Sequence, residues 1–129
     1  MWGRRYALPT AVAAALSQVF EEPVDGVTVI EYSHYAKLHW GMSATTRPNR
    51  ILLAICGAEF IASPEMLLHE YYHVLCQWQS GYLTRWRYLR EFVHCGYREN
   101  RFELEARSFA AAAVEPYLRY LRDAERHDL

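Results

Sequence analysis

The chain has no excess charge of either sign. It carries 14 basic and 15 acidic residues, a net charge of −1 with histidine neutral. That composition supplies neither a basic surface for nucleic acid nor an acidic solvating tail. No apolar run approaches the roughly 20 residues that cross a bilayer. Cysteine is scarce: Cys56, Cys76 and Cys95 make three in 129 residues, and no pair has C-x-x-C spacing. An odd count without motif spacing argues against a disulfide framework and for a reducing, cytoplasmic location. Each thiol is expected to act as a small buried hydrophobe.

A secretory leader is the lesser reading of the N-terminus. Arg4 and Arg5 precede an Ala-rich run at residues 11–16, and Ala13 and Ala15 form an A-x-A pair. However, Pro9 and Thr10 interrupt the apolar stretch. Val12, Leu16, Val19 and Phe20 instead recur at the spacing of an amphipathic helix. Repeats, low-complexity segments and linkers are all lacking, so residues 1–129 are read as a single domain.

What is present is an ordinary globular composition, 52% apolar and 22% charged, with a high aromatic share of 15%. Rings in that number suit dense packing or an aromatic-lined cleft. The pattern predicts a helix over residues 9–22, with Pro9 at its start. A β-branched strand follows over residues 27–32. Residues 33–40 could form a second short strand, 41–49 read as a loop, and 51–55 read as a strand. Ser63-Pro64-Glu65 combines a cap, a proline and an acid, which opens a helix running to about Gln79 and stopping at Ser80-Gly81. Thr84 is expected to cap a helix ending near Gly96. Asn100 is expected to cap a last helix that kinks at Pro116 and reaches Asp123. A helix, strands and then three helices make an α+β fold.

Within the clearest helix lies His69-Glu70-Tyr71-Tyr72-His73, an H-E-x-x-H pattern. Composition alone would produce this pattern in roughly one such chain in forty. Residues four apart share a helix face, so the two imidazoles project side by side and can ligate one Zn²⁺. Glu70 is rotated by about one helix step and can reach a water without ligating the ion. The neighbours Met66, Leu67, Leu68, Tyr71, Tyr72, Val74, Leu75, Cys76 and Trp78 leave the helix almost without a polar face, which marks it as buried. Two histidines and a glutamate buried there need strong partners, and a divalent cation is one.

A catalytic zinc site usually takes a third protein ligand. The segment Asn100-Arg101-Phe102-Glu103-Leu104-Glu105-Ala106-Arg107 offers two acids. They flank an expected core face of Phe102, Ala106, Phe109, Ala110 and Ala113 on opposite sides. Helical geometry does not choose between Glu103 and Glu105. Glu103 also has capping-box spacing from Asn100, and Glu105 could pair with Arg101.

The zinc-type helix, with Glu103 standing 30 residues after His73 in an E-x-E-A helix, resembles the gluzincin metallopeptidases. It is most similar to the very small minigluzincin-like domains and to a bacterial zincin-like domain of unknown function found near contractile injection systems. The resemblance spans roughly residues 27–114. It implies a compact zincin-like fold, Zn²⁺ held by His69, His73 and Glu103, and Glu70 as general base. It implies a peptide or protein substrate, which would add to a strand edge along the cleft, with residues 51–55 the expected strand. In thermolysin-like relatives an Asp four residues beyond the ligand orients the first histidine; here Arg107 occupies that position.

Three aromatic or imidazole side chains, Tyr72, His94 and Tyr97, are candidates to stabilise an oxyanion, although packing is the commoner role of such rings. The run Arg85-Trp86-Arg87-Tyr88-x-Arg90 could suggest nucleic acid. An amphipathic helix with Trp86, Leu89, Phe92 and Val93 turned inward is the simpler expectation. His34 and His39 could approach the cleft, and His127 should lie in a frayed tail. The reading is a zinc-dependent hydrolase, a metallopeptidase in type. A non-catalytic zinc-binding scaffold of the same fold is the competing class.

Overall fold

The computed structural model describes residues 3–33, 44–96 and 100–127. Among them four strands form one sheet: β1 (Arg4–Tyr6), β2 (Thr28–Glu31), β3 (Ala44–Arg47) and β4 (Arg50–Leu53). The strand order is β1-β2-β4-β3. The outer pairings are antiparallel, and β2 runs parallel to β4 with Val29 opposite Ile51. The two middle strands carry the sheet's valine, isoleucine and leucine residues. Val29, Ile30, Ile51, Leu52 and Leu53 are all buried, as expected of strands with both edges paired.

Among the described residues five helices accompany the sheet: α1 (Thr10–Phe20), α2 (Gly57–Ile61), α3 (Pro64–Tyr72), α4 (Arg85–Cys95) and α5 (Arg101–His127). The fold is therefore α+β, as the element order predicts. Beyond Tyr72, α3 continues in π register over His73–Trp78. The amide of Gln79 bonds the carbonyl of Val74, and that of Leu83 returns to Gln77. The core joins α1, the sheet, α2, α3 and α5 through Leu16, Ile51, Leu53, Phe60, Leu67, Leu68, Tyr71, Val74 and Tyr117. Along α5 the buried stripe is Phe102, Glu103, Ala106, Ala110, Ala113 and Tyr117. Its three alanines leave room for a neighbouring helix to come close, and this brings an acid at the start of α5 against α3.

Several local expectations change. Within the predicted loop at 41–49, residues 44–47 form the edge strand β3. β1 and α2, of three and five residues, are too short for periodicity to register. Ser63 precedes α3 without a side-chain cap bond, whereas Thr84 accepts from the Arg87 amide and Asn100 from the Phe102 amide. α5 runs without a break through Pro116 and ends at His127, whose Nδ1 lies 2.7 Å from the Asp123 carbonyl. The expected inward face of α4 does not exist, because no residue of that helix is buried. Residues 34–40, including His34 and His39, lie outside the described residues, as does Tyr97. No helix among the described residues is long and apolar enough to cross a membrane.

Candidate metal centre

α3 is still in α register at His69 and enters π register at His73, so the two imidazoles stand on one face, with ring centroids 4.8 Å apart. Their Nε2 atoms lie 3.1 Å from each other. From the facing end of α5, Glu103 brings its Oε1 to 3.0 Å from His69 Nε2 and 3.1 Å from His73 Nε2. Two imidazole nitrogens and a carboxylate oxygen thus form a nearly equilateral triangle, the one His/Cys/Asp/Glu cluster of metal-ligating type among the described residues.

The open choice between the two acids is resolved by where α5 faces α3. Glu103 enters the triangle. Glu105 turns away to accept from the Tyr82 hydroxyl at 2.9 Å and, at 3.5 Å, from Gln77 Nε2. The expected Arg101–Glu105 pair is replaced by Arg101–Glu91 at 2.8 Å. Asn100 bonds the Phe102 amide, so Glu103 is free of the capping box and available to the histidines.

The hydrogen bonding behind the triangle fixes its chemistry. Gln77 is fully buried on the π segment. Its Nε2 donates to the Phe102 carbonyl at 3.0 Å, which leaves its Oε1 facing His73 Nδ1 at 2.6 Å. An amide oxygen only accepts, so His73 carries its proton on Nδ1. In the neutral ring the Nε2 lone pair then points into the triangle. On the other side, the Tyr88 hydroxyl of α4 donates to Glu103 Oε2 at 3.0 Å and leaves Oε1 to the histidines. Gln77 and Tyr88 both contact the cluster, and the sequence does not single them out: Tyr88 stands among arginines, and Gln77 belongs to no motif.

This donor set suits a divalent ion. The three atoms converge on a shared point, and they are the nitrogen and oxygen types that zinc binds at about 2.0–2.2 Å once the imidazoles are neutral. Protons can bridge only some of the three contacts; a cation between them satisfies all three at once.

Electrostatics separate the two glutamates. Burial alone would raise Glu103, but its hydrogen bonds to His69 and His73 outweigh burial and hold it well below the ordinary carboxylate range. Burial pulls His73 down, but Glu103 overcomes this and raises the imidazole to about 8. Glu70 has its Oε1 4.0 Å from His69 Nε2. Burial raises Glu70, and the two histidines lower it only in part. His69 and Glu70 are also the side of the cluster nearest solvent, at 16% and 12% side-chain exposure against 4% for His73. The triangle therefore opens towards Glu70.

Of the other expected residues, Tyr72 stacks on Phe109 with centroids 4.7 Å apart and serves packing. His94 lies exposed in the last turn of α4. The strand at 50–53 is interior, paired by β2 on one side and β3 on the other, so it has no free edge to offer. The edge beside α3 and its π extension belongs to β3, where Thr46 Oγ1 accepts from the Trp78 indole at 3.1 Å. Comparison with family models, with curated proteins and with solved structures finds no match to this chain.

Proposed function

We propose that this protein is a zinc-dependent hydrolase of gluzincin type that cleaves peptide or protein. His69, His73 and Glu103 hold the ion, and Glu70 is the general base. The observation that carries this reading is the convergence of two imidazole nitrogens and a carboxylate oxygen at 3.0–3.1 Å, with a second carboxylate, that of Glu70, beside it. Bound there, zinc supplies a Lewis acid and lowers the pKa of a water to about 7. The chain's own groups supply the rest. The raised Glu70 carboxylate takes a proton from the attacking water and returns it to the leaving amine nitrogen. Gln77 keeps the His73 proton on Nδ1, and Tyr88 keeps the second Glu103 oxygen occupied. An extended substrate would add along the outer edge of β3, which no described residue pairs. Three free thiols, two of them exposed, support a reducing, cytoplasmic location.

The test is elemental analysis joined to one substitution. Purified protein should hold about one zinc per chain. Glu70→Gln should keep that zinc and lose hydrolysis of an unstructured protein substrate. If wild type binds zinc but hydrolyses nothing that Glu70→Gln fails to hydrolyse, the protein is a zinc-bearing scaffold. If wild type binds no zinc, both readings fail.

A further inference from the structure

α4 presents an apolar stripe to solvent. Trp86 is 72% exposed, Val93 71%, Leu89 51% and Phe92 39%. The helix meets the rest of the molecule through its other side. There the Tyr88 hydroxyl bonds Glu103, the Tyr88 ring stacks near Phe102, and Glu91 pairs with Arg101 at 2.8 Å. At about 100° per residue, Leu89, Val93 and Trp86 fall within about 60° of arc, opposite the Tyr88–Glu91 side. Arg85 and Arg90 flank that arc, each about 40° outside it. Both are exposed. Glu91 is turned to Arg101, and Arg87 donates to the carbonyls of Gly81 and Tyr82. The outward face of the helix is thus apolar at its centre and cationic at both margins.

We propose that this face of α4 docks on an anionic lipid surface. Three features favour lipid over a second protein. The face is one helix of 11 residues, narrow for a protein partner. Its three apolar residues expose on the order of 400 Å², well short of the about 800 Å² per partner that a stable protein interface buries. A strongly amphipathic helix of low overall hydrophobicity, with tryptophan on one face and arginine beside it, is the form that lies in the headgroup plane. Trp86, Leu89 and Val93 would enter the acyl boundary, and Arg85 and Arg90 would meet lipid phosphates. Because Tyr88 and Glu91 hold the opposite side of α4 against α5, docking through the outward face would leave those contacts intact. The inference does not depend on zinc or on hydrolysis.

The experiment is sedimentation of the full chain with vesicles of phosphatidylcholine, with and without about 30 mol% phosphatidylserine. The protein should sediment with the anionic vesicles, and raising salt should release it. Trp86→Glu/Val93→Glu should abolish binding while the circular dichroism melt stays unchanged, since both side chains are exposed. Arg85→Gln and Arg90→Gln should each weaken binding by about fivefold. The proposal is overturned if wild type ignores anionic vesicles, or if the double variant binds as wild type does. It is equally overturned if the chain is a dimer that the double variant dissolves, for then the stripe is an interface between copies.

Discussion

Replacing Gln77 by Leu tests the centre from behind. The side chain is fully buried and bridges His73 Nδ1 to the Phe102 carbonyl at 2.6 and 3.0 Å. Leucine fills the space but leaves the buried His73 Nδ1–H without a partner, whereas the Phe102 carbonyl keeps its own intrahelical bond. An orphaned buried donor costs about 1–3 kcal/mol, so the metal-free protein should lose that amount. In a chain of this size that is a fall in melting temperature on the order of 10 °C. Zinc binding should suffer separately, because His73 is no longer held with Nδ1 protonated and Nε2 aimed inward. Loss of such a supporting bond typically lowers metal affinity 10- to 100-fold. Gln77→Glu separates the two effects. It keeps the acceptor for His73 but sets a carboxylate against the Phe102 carbonyl and Glu105, so stability should fall while zinc affinity stays within a few-fold. Chelator competition gives affinity, and urea melts of the metal-free form give stability. If Gln77→Leu binds zinc as tightly as wild type, the bond from Gln77 does not set the ligand and the reasoning fails.

The histidine–glutamate contact also sets a pH window. Without metal, His73 is raised from 6.5 to about 8. It therefore contributes fully below pH 6.5, on the order of 2 kcal/mol, and the contribution disappears as pH rises through 8. Glu103, lowered from 4.5, adds stability above that value and loses it as pH falls, through the same contact counted once. Urea melts of metal-free protein should accordingly peak between about pH 4.5 and 6.5. Zinc reverses the upper limb: its affinity should rise about tenfold per pH unit up to about 8 and then flatten, and a flat profile from pH 6 to 9 would contradict the assignment of His73 as ligand. Tyr88→Phe removes the donor to the outer Glu103 oxygen and should weaken zinc by about tenfold, the low end for such partners because Tyr88 is only half-buried. Gly57→Ala drives a Cβ into the Tyr6 ring at the first residue of α2. It should cost about 1–3 kcal/mol in a denaturant melt with zinc affinity unchanged.

Legibility in the sequence follows the range of the interaction. His69, Glu70 and His73 could be read because four-residue spacing on an α-helix is a local geometry, and the apolar context made their burial costly. The existence of an acid on the last helix could also be read. Its identity could not, since Glu103 and Glu105 are equivalent until α5 is placed against α3. Gln77 was hidden by the change of register. In a π segment each residue turns less than 100°, so Gln77 lags its α-helical position by roughly 70°. A 3.6-residue pattern places it wrongly. For α4, amphipathicity states only that a face differs from its opposite, not which face is inward. The expected inward residues Trp86 and Val93 are exposed, like the arginines beside them. The strand at 50–53 was found for its apolar run, yet an apolar run is the mark of an interior strand. The same feature that identified it therefore argued against its serving as a substrate edge.

The change of register has a structural logic. His69 and His73 need α geometry to stand side by side. Continued in α register, Gln77 would also lie near His73, but on the other side of the helix line through it. The π turn begins at His73, immediately after the last residue that must be α-helical. From there it swings Gln77 back to where it meets both His73 Nδ1 and the Phe102 carbonyl of the neighbouring helix. Phe102 is the residue before Glu103, so one amide links the second histidine to the backbone that carries the carboxylate. Any shift of α5 along α3 would strain that link before it opened the triangle. The π segment thus ties the spacing of the donors to the packing of the two helices, and a centre built on two helices keeps its dimensions without a larger domain around it.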